Sequence, residues 1–113
     1  MAKLNKEIIN HIFELQNFFL DSTDEATRLE FNIFVQFGET VETMAELEEL
    51  QNLKERALFY YDRFHVVLKR IYELQPVAER VNLELLDRTI AEAELTIDVI
   101  QASLEDIKRN WNL

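Results

Sequence analysis

Residues 50–74, LQNLKERALFYYDRFHVVLKRIYEL, and residues 83–111, LELLDRTIAEAELTIDVIQASLEDIKRNW, decide the fold. In the first, Leu50, Leu53, Ala57, Tyr60, Phe64, Val67, Ile71 and Leu74 recur at alternating spacings of 3 and 4. In the second, Leu83, Leu86, Ile90, Ala93, Ile97, Ile100, Leu104, Ile107 and Trp111 do the same. That period puts each set on one stripe of a helix, as in a coiled-coil seam. The second stripe alone predicts a helix roughly 44 Å long at 1.5 Å per residue. Pro76 lacks an amide hydrogen and clashes with a preceding helical turn, so the two stripes belong to separate helices. A turn centred near Ala78 and Glu79 lays them antiparallel.

One register of that hairpin sets Ala57 against Ile100 and Phe64 against Ala93, so each seam alanine meets a large partner. Close-packed interiors need this interdigitation. The layers on either side run from Leu50 with Ile107 to Leu74 with Leu83.

Toward the N-terminus, Leu4, Ile8, Ile12, Leu15 and Phe19 form an apolar stripe that Ile9, Phe13 and Leu20 widen. Ser22-Thr23-Asp24-Glu25 then reads as a capping box, which predicts a new helix starting there. The next stretch fits two periods. Leu29, Phe31, Ile33, Val35 and Phe37 alternate as in a strand, whereas Ala26, Leu29, Ile33, Phe37, Val41 and Met44 keep a helical stripe. Helix is the preferred reading, since no partner strand of matching pattern exists, and Gly38 is where it ends or bends. Thr43-x-x-Glu46 supplies a second capping signal, with the packed face of the following helix stopping near Leu50. The expectation is an all-α, single-domain four-helix up-down-up-down bundle over residues 1–113, with helices at about 3–21, 23–41, 44–75 and 78–112. Arg56, Arg63 and Arg70 recur every seven residues, as do Glu7, Glu14 and Asp21, and parallel first and third helices would align the two rows.

The composition agrees with helices. One Gly and one Pro leave little for tight β-turns, and 48% hydrophobic residues, eight of them Phe, suffice for a core. A chain of 113 residues fits one domain. It has no Cys, so neither disulfides nor thiolate zinc sites are available, and no leader or membrane span is visible in its sequence. A cytoplasmic location is expected. The formal charge of −10 repels phosphate backbones and anionic lipid, which makes nucleic acid and membranes poor partners.

Chemistry-bearing patterns are sparse. Glu39, Glu42, Glu46 and Glu49 fall on one helical face and are candidates for holding a hard divalent cation, although acidic residues also gather at helix starts because the amide dipoles favour them. Glu46-x-x-Glu49 with Glu84-x-x-Asp87 resembles, over eight positions, the ExxE and ExxD pairs of all-α nucleotide pyrophosphohydrolases. That resemblance implies a small phosphohydrolase using Mg²⁺ held between facing helices. Asp62-x-x-His65 occurs once, where ferritin-like sites need a Glu-x-x-His on two helices. No nucleophile–base pattern or phosphate-cradling glycine loop is present, and no cofactor is expected. An acidic inhibitor mimicking nucleic-acid charge is a further alternative.

The leading expectation is instead a non-enzymatic interaction or assembly module. Leu58, Phe59, Val66 and Tyr72 beside the first seam, and Leu85, Leu95 and Val99 beside the second, exceed what a core needs. They are the candidate interface, for a homodimer or a helical protein partner.

Overall fold

The computed structural model describes residues 4–73 and 80–113. Among them the chain is all-helical, in three helices rather than four: α1 (Lys6–Phe37), α2 (Val41–Glu73) and α3 (Arg80–Trp111). The turn expected at Ala78 and Glu79, Pro76, and the Leu74–Leu83 layer fall at or across residues 74–79, outside the described residues.

The expected break at 21–23 does not occur; α1 runs through it. Asn5 caps its start, the side-chain Oδ1 accepting from the Ile8 amide at 2.8 Å. The Ser22 and Thr23 hydroxyls of the expected capping box bond back along the helix, Ser22 donating to the Phe18 carbonyl and Thr23 to the Phe19 carbonyl, and Thr27 donates likewise to the Thr23 carbonyl, each at 2.9 Å. A hydroxyl bonded four residues back satisfies itself without ending the helix. Ser22 is also small enough to face the core, where it is 3% exposed. The buried seam of α1 is therefore unbroken through Ile12, Leu15, Phe19, Ser22, Ala26, Leu29 and Ile33, at spacings of 3 and 4 throughout.

Gly38 ends α1. Its φ of 69° lies where L side chains are strained, and its amide donates to the Phe34 carbonyl at 2.9 Å. The cap of α2 is not Thr43-x-x-Glu46 but Thr40 and Thr43. The Thr43 amide donates to Thr40 Oγ1 at 3.0 Å, and the Thr40 amide donates to Thr43 Oγ1 at 2.7 Å. Thr43 Oγ1 in turn donates to the Gly38 carbonyl at 2.8 Å. This reciprocal pair starts α2 at Val41 and carries its packed face beyond Leu50 to Thr43, which is 1% exposed. Thr43→Ala removes one half of the pair and is expected to lower stability by about 1–2 kcal/mol, measured by chemical denaturation against a Thr40→Ala chain.

Contacts between helices fix the topology. Gln16 Nε2 donates to the Tyr61 carbonyl at 3.1 Å, Phe19 stacks on Tyr60 at 5.8 Å, and Lys54 pairs with Glu30, so α1 and α2 are antiparallel. His11 meets Glu94 at 3.5 Å, Glu25 pairs with Lys108, and Phe37 meets Trp111 at 4.8 Å, so α1 and α3 are parallel. The order is up-down-up. The expected alignment of Arg56, Arg63 and Arg70 with Glu7, Glu14 and Asp21 along parallel helices is not made: α1 and α2 carry the rows in opposite directions, the arginines line the α2–α3 side, and among the described residues no ion pair joins the two rows.

The core is one cluster drawn from all three helices, including Phe19, Phe64, Ile12, Ile33, Leu50, Ile71, Leu86 and Ile100. Ala57 and Ala93 are both fully buried, whereas Tyr60, Ile90 and Ile97 of the predicted seams are partly exposed. Among the described residues no buried side-chain nitrogen or oxygen lacks a hydrogen-bond partner. The molecule measures 56 × 19 × 17 Å.

Candidate interaction surface

Two long helices that share a narrow seam leave a groove along their outer side. A fourth helix would cover the groove between α2 and α3; in this bundle the segment expected to form it is the second half of α1, packed elsewhere. Two hollows, of about 380 and 360 Å³, lie along the groove and share Phe59 in their lining. Its apolar lining comes from Phe59, Val66 and Val67 on α2 and from Leu85, Leu95 and Val99 on α3.

Six of the seven predicted interface residues are exposed: Leu58, Phe59, Val66, Tyr72, Leu95 and Val99, with Leu95 at 69% and Phe59 at 52%. Leu85 is partly buried in the groove. The structure brings Phe59, Val66, Leu85, Leu95 and Val99 to this one surface. Leu58 belongs to another, because it precedes Tyr61 by one helical turn and Tyr61 accepts from Gln16 of α1. Leu20, one turn after Gln16, is exposed on the same border, as is Phe13 before it. A second apolar strip thus follows the α1–α2 boundary.

A third apolar area surrounds Gly38. Phe31, Phe34, Val35, Phe37, Val41 and Met44 are all exposed there, Val41 at 85%. The sequence pattern places Phe37, Val41 and Met44, with Phe13 and Leu20, on core-facing stripes, and Phe31 and Val35 on the strand-like alternation. A signal was present, since a stripe broad enough to include both Leu15 and Phe13 exceeds the width one buried face can cover.

Charge distinguishes the α2–α3 groove from the rest. Arg56, Arg63 and Arg70 line it against one carboxylate, Asp62, although the whole chain carries −10. Arg63 lies over the Phe59 ring, 5.7 Å from its centroid. None of the three guanidiniums forms an ion pair among the described residues.

The acidic candidates are arranged differently. Glu39 precedes α2 while Glu42, Glu46 and Glu49 follow along its first turns, and among the described residues no three acidic or histidine side chains converge as a metal shell. Glu84 and Asp87 start α3, beside the far end of α2. From Glu49 to Glu73 is about 36 Å of helix, so the two pairs are not brought together. Glu84 pairs instead with Arg80 at 2.9 Å. Asp62 and His65 are both exposed. No helix among the described residues is long and apolar enough to cross a membrane. Compared with known protein families, curated proteins and solved structures, the chain finds no match.

Proposed function

We propose that this chain is a non-enzymatic helical interaction module that self-associates through apolar helix faces, chiefly the groove between α2 and α3. The observation that carries the reading is the open groove itself, where Phe59, Leu95 and Val99 are each at least half exposed. Contiguous apolar surface of this kind is costly to leave in water and marks association sites. That the described residues form three helices, none of which covers this side of α2 and α3, supplies the structural reason for it.

Light scattering coupled to size-exclusion chromatography tests the reading. The expected result is a mass that rises with concentration above the 13.5 kDa of one protomer. A constant protomer mass up to millimolar concentration rejects it. Replacing Phe59 and Leu95 together with Ser is expected to weaken association at least tenfold, while the stability of the protomer at low concentration changes by no more than ordinary surface substitutions cause, about 0.5 kcal/mol each.

A further inference from the structure

The two heptad charge rows do not meet within the protomer, and each lies beside exposed apolar side chains. Arg56, Arg63 and Arg70 line the α2–α3 groove next to Phe59 and Val66. Glu7, Glu14 and Asp21 are exposed on α1, near exposed Phe13 and Leu20. We infer that the occupant of the groove is α1 of a second copy of this chain, its acidic row set against the arginine row of its neighbour. The inference rests on the self-association proposed above and assigns its geometry.

Three observations converge on it. The rows match in length, since residues 7–21 and 56–70 each span two heptads, about 21 Å of helix. Their chemistry matches in sign, and the middle pair, Glu14 with Arg63, is the same whichever way the incoming helix points. The apolar residues match too: Phe13 and Leu20 are seven apart, as are Phe59 and Val66, so a helix lying in the groove can bury apolar side chains and pair charges at every second turn. A chain of net charge −10 repels its own copies, and the groove, with three guanidiniums against one carboxylate, is where an acidic helix of another copy is drawn. The acidic row has little to hold it at home. Among the described residues Glu7 and Asp21 have no ion pair, and Glu14 reaches only His11, at 3.9 Å.

Asp21 lines a hollow with Gln101, Glu105 and Lys108 of α3, and His11 sits between Glu14 and Glu94, so the acidic row follows the α1–α3 border. The arginine row follows the α2–α3 groove, and the two meet only between copies. Such a contact is head-to-tail and repeats, giving an open row of protomers unless its rotation closes a ring.

Charge reversal tests this directly. One variant carries Arg56→Glu, Arg63→Glu and Arg70→Glu; the other carries Glu7→Lys, Glu14→Lys and Asp21→Lys. All six positions lie on the surface or the groove rim, and circular dichroism checks that both variants keep the helical content of the parent. Each variant alone is expected to sediment as a protomer, with self-association weakened at least tenfold, and a 1:1 mixture to assemble again, because each then offers the complement of the other. The lysine variant is the more telling, since it moves the net charge toward neutrality and weakens general repulsion yet is expected to lose assembly. Parent assembly is also expected to weaken as salt rises from 0.1 to 1 M, where screening shortens from about 10 to about 3 Å. If the parent associates but the folded variants associate equally well, or the mixture stays at protomer mass, this geometry is overturned while self-association stands. A parent that never leaves protomer mass overturns both.

Discussion

A Thr23→Pro chain is expected to lose at least about 3 kcal/mol of stability, a fall of roughly 10 °C or more in melting temperature for a domain of this size. Position 23 lies inside α1, where proline would remove the amide that bonds back along the helix and drive its ring into the Phe19 carbonyl. That carbonyl already accepts the Thr23 hydroxyl at 2.9 Å, which proline also removes. The outcome discriminates between the two readings of Ser22-Thr23-Asp24-Glu25. Were Ser22 the cap of a new helix, residue 23 would be its first helical position, where proline is favoured, and the substitution would leave stability nearly unchanged. Thermal melts followed by circular dichroism decide the matter.

Phe64→Ala is expected to be the most damaging single truncation in the seam between α2 and α3, lowering stability by about 3–5 kcal/mol. Phe64 is fully buried, so its loss removes apolar contacts and leaves a cavity that flanking helices relax into only in part. The register read from the sequence adds a second outcome. With Ala93 opposite, Ala93→Leu alone overpacks the layer and costs about 1–3 kcal/mol, yet added to Phe64→Ala it fills the cavity and recovers stability. A double variant no better than the sum of its parts would show that the two positions are not in contact. Phe13→Ala serves as the control: that ring is half exposed, and its loss is expected to leave the melt nearly unshifted.

The seams of α2 and α3 were legible because a period of alternating 3 and 4 survives over many turns and nothing else produces it. The misplaced break in α1 has a chemical origin. A serine or threonine hydroxyl can accept an amide at a helix start or donate to a carbonyl four residues back in mid-helix, and the four letters are the same in both cases. What decides is whether position 22 faces the core, and a serine there hides the continuity from Phe19 to Ala26. The strand-like alternation of residues 29–37 has a related cause. Leu29 and Ile33 face inward, while Phe31 and Val35 lie on the outside of the same helix, so apolar residues on both sides imitate a period of two. That exposure also explains the partial view of the surface. Phe59, Val66, Leu95 and Val99 stood out because they fell beside an established seam, whereas Phe13 and Leu20 were absorbed into a stripe whose width was overestimated and Phe31 into the strand-like alternation. The charge rows were visible from their spacing, but the direction of the first helix relative to the arginines depended on the misplaced break.

Three helices of 32, 33 and 32 residues laid flush side by side make a rod. Its radius of gyration is 17.4 Å, against about 13 Å for a compact chain of the same length. Friction follows the long axis, so one protomer sweeps out the hydrodynamic volume of a heavier sphere. On a column calibrated with globular standards it elutes early, at a position that imitates a dimer before any two copies have met.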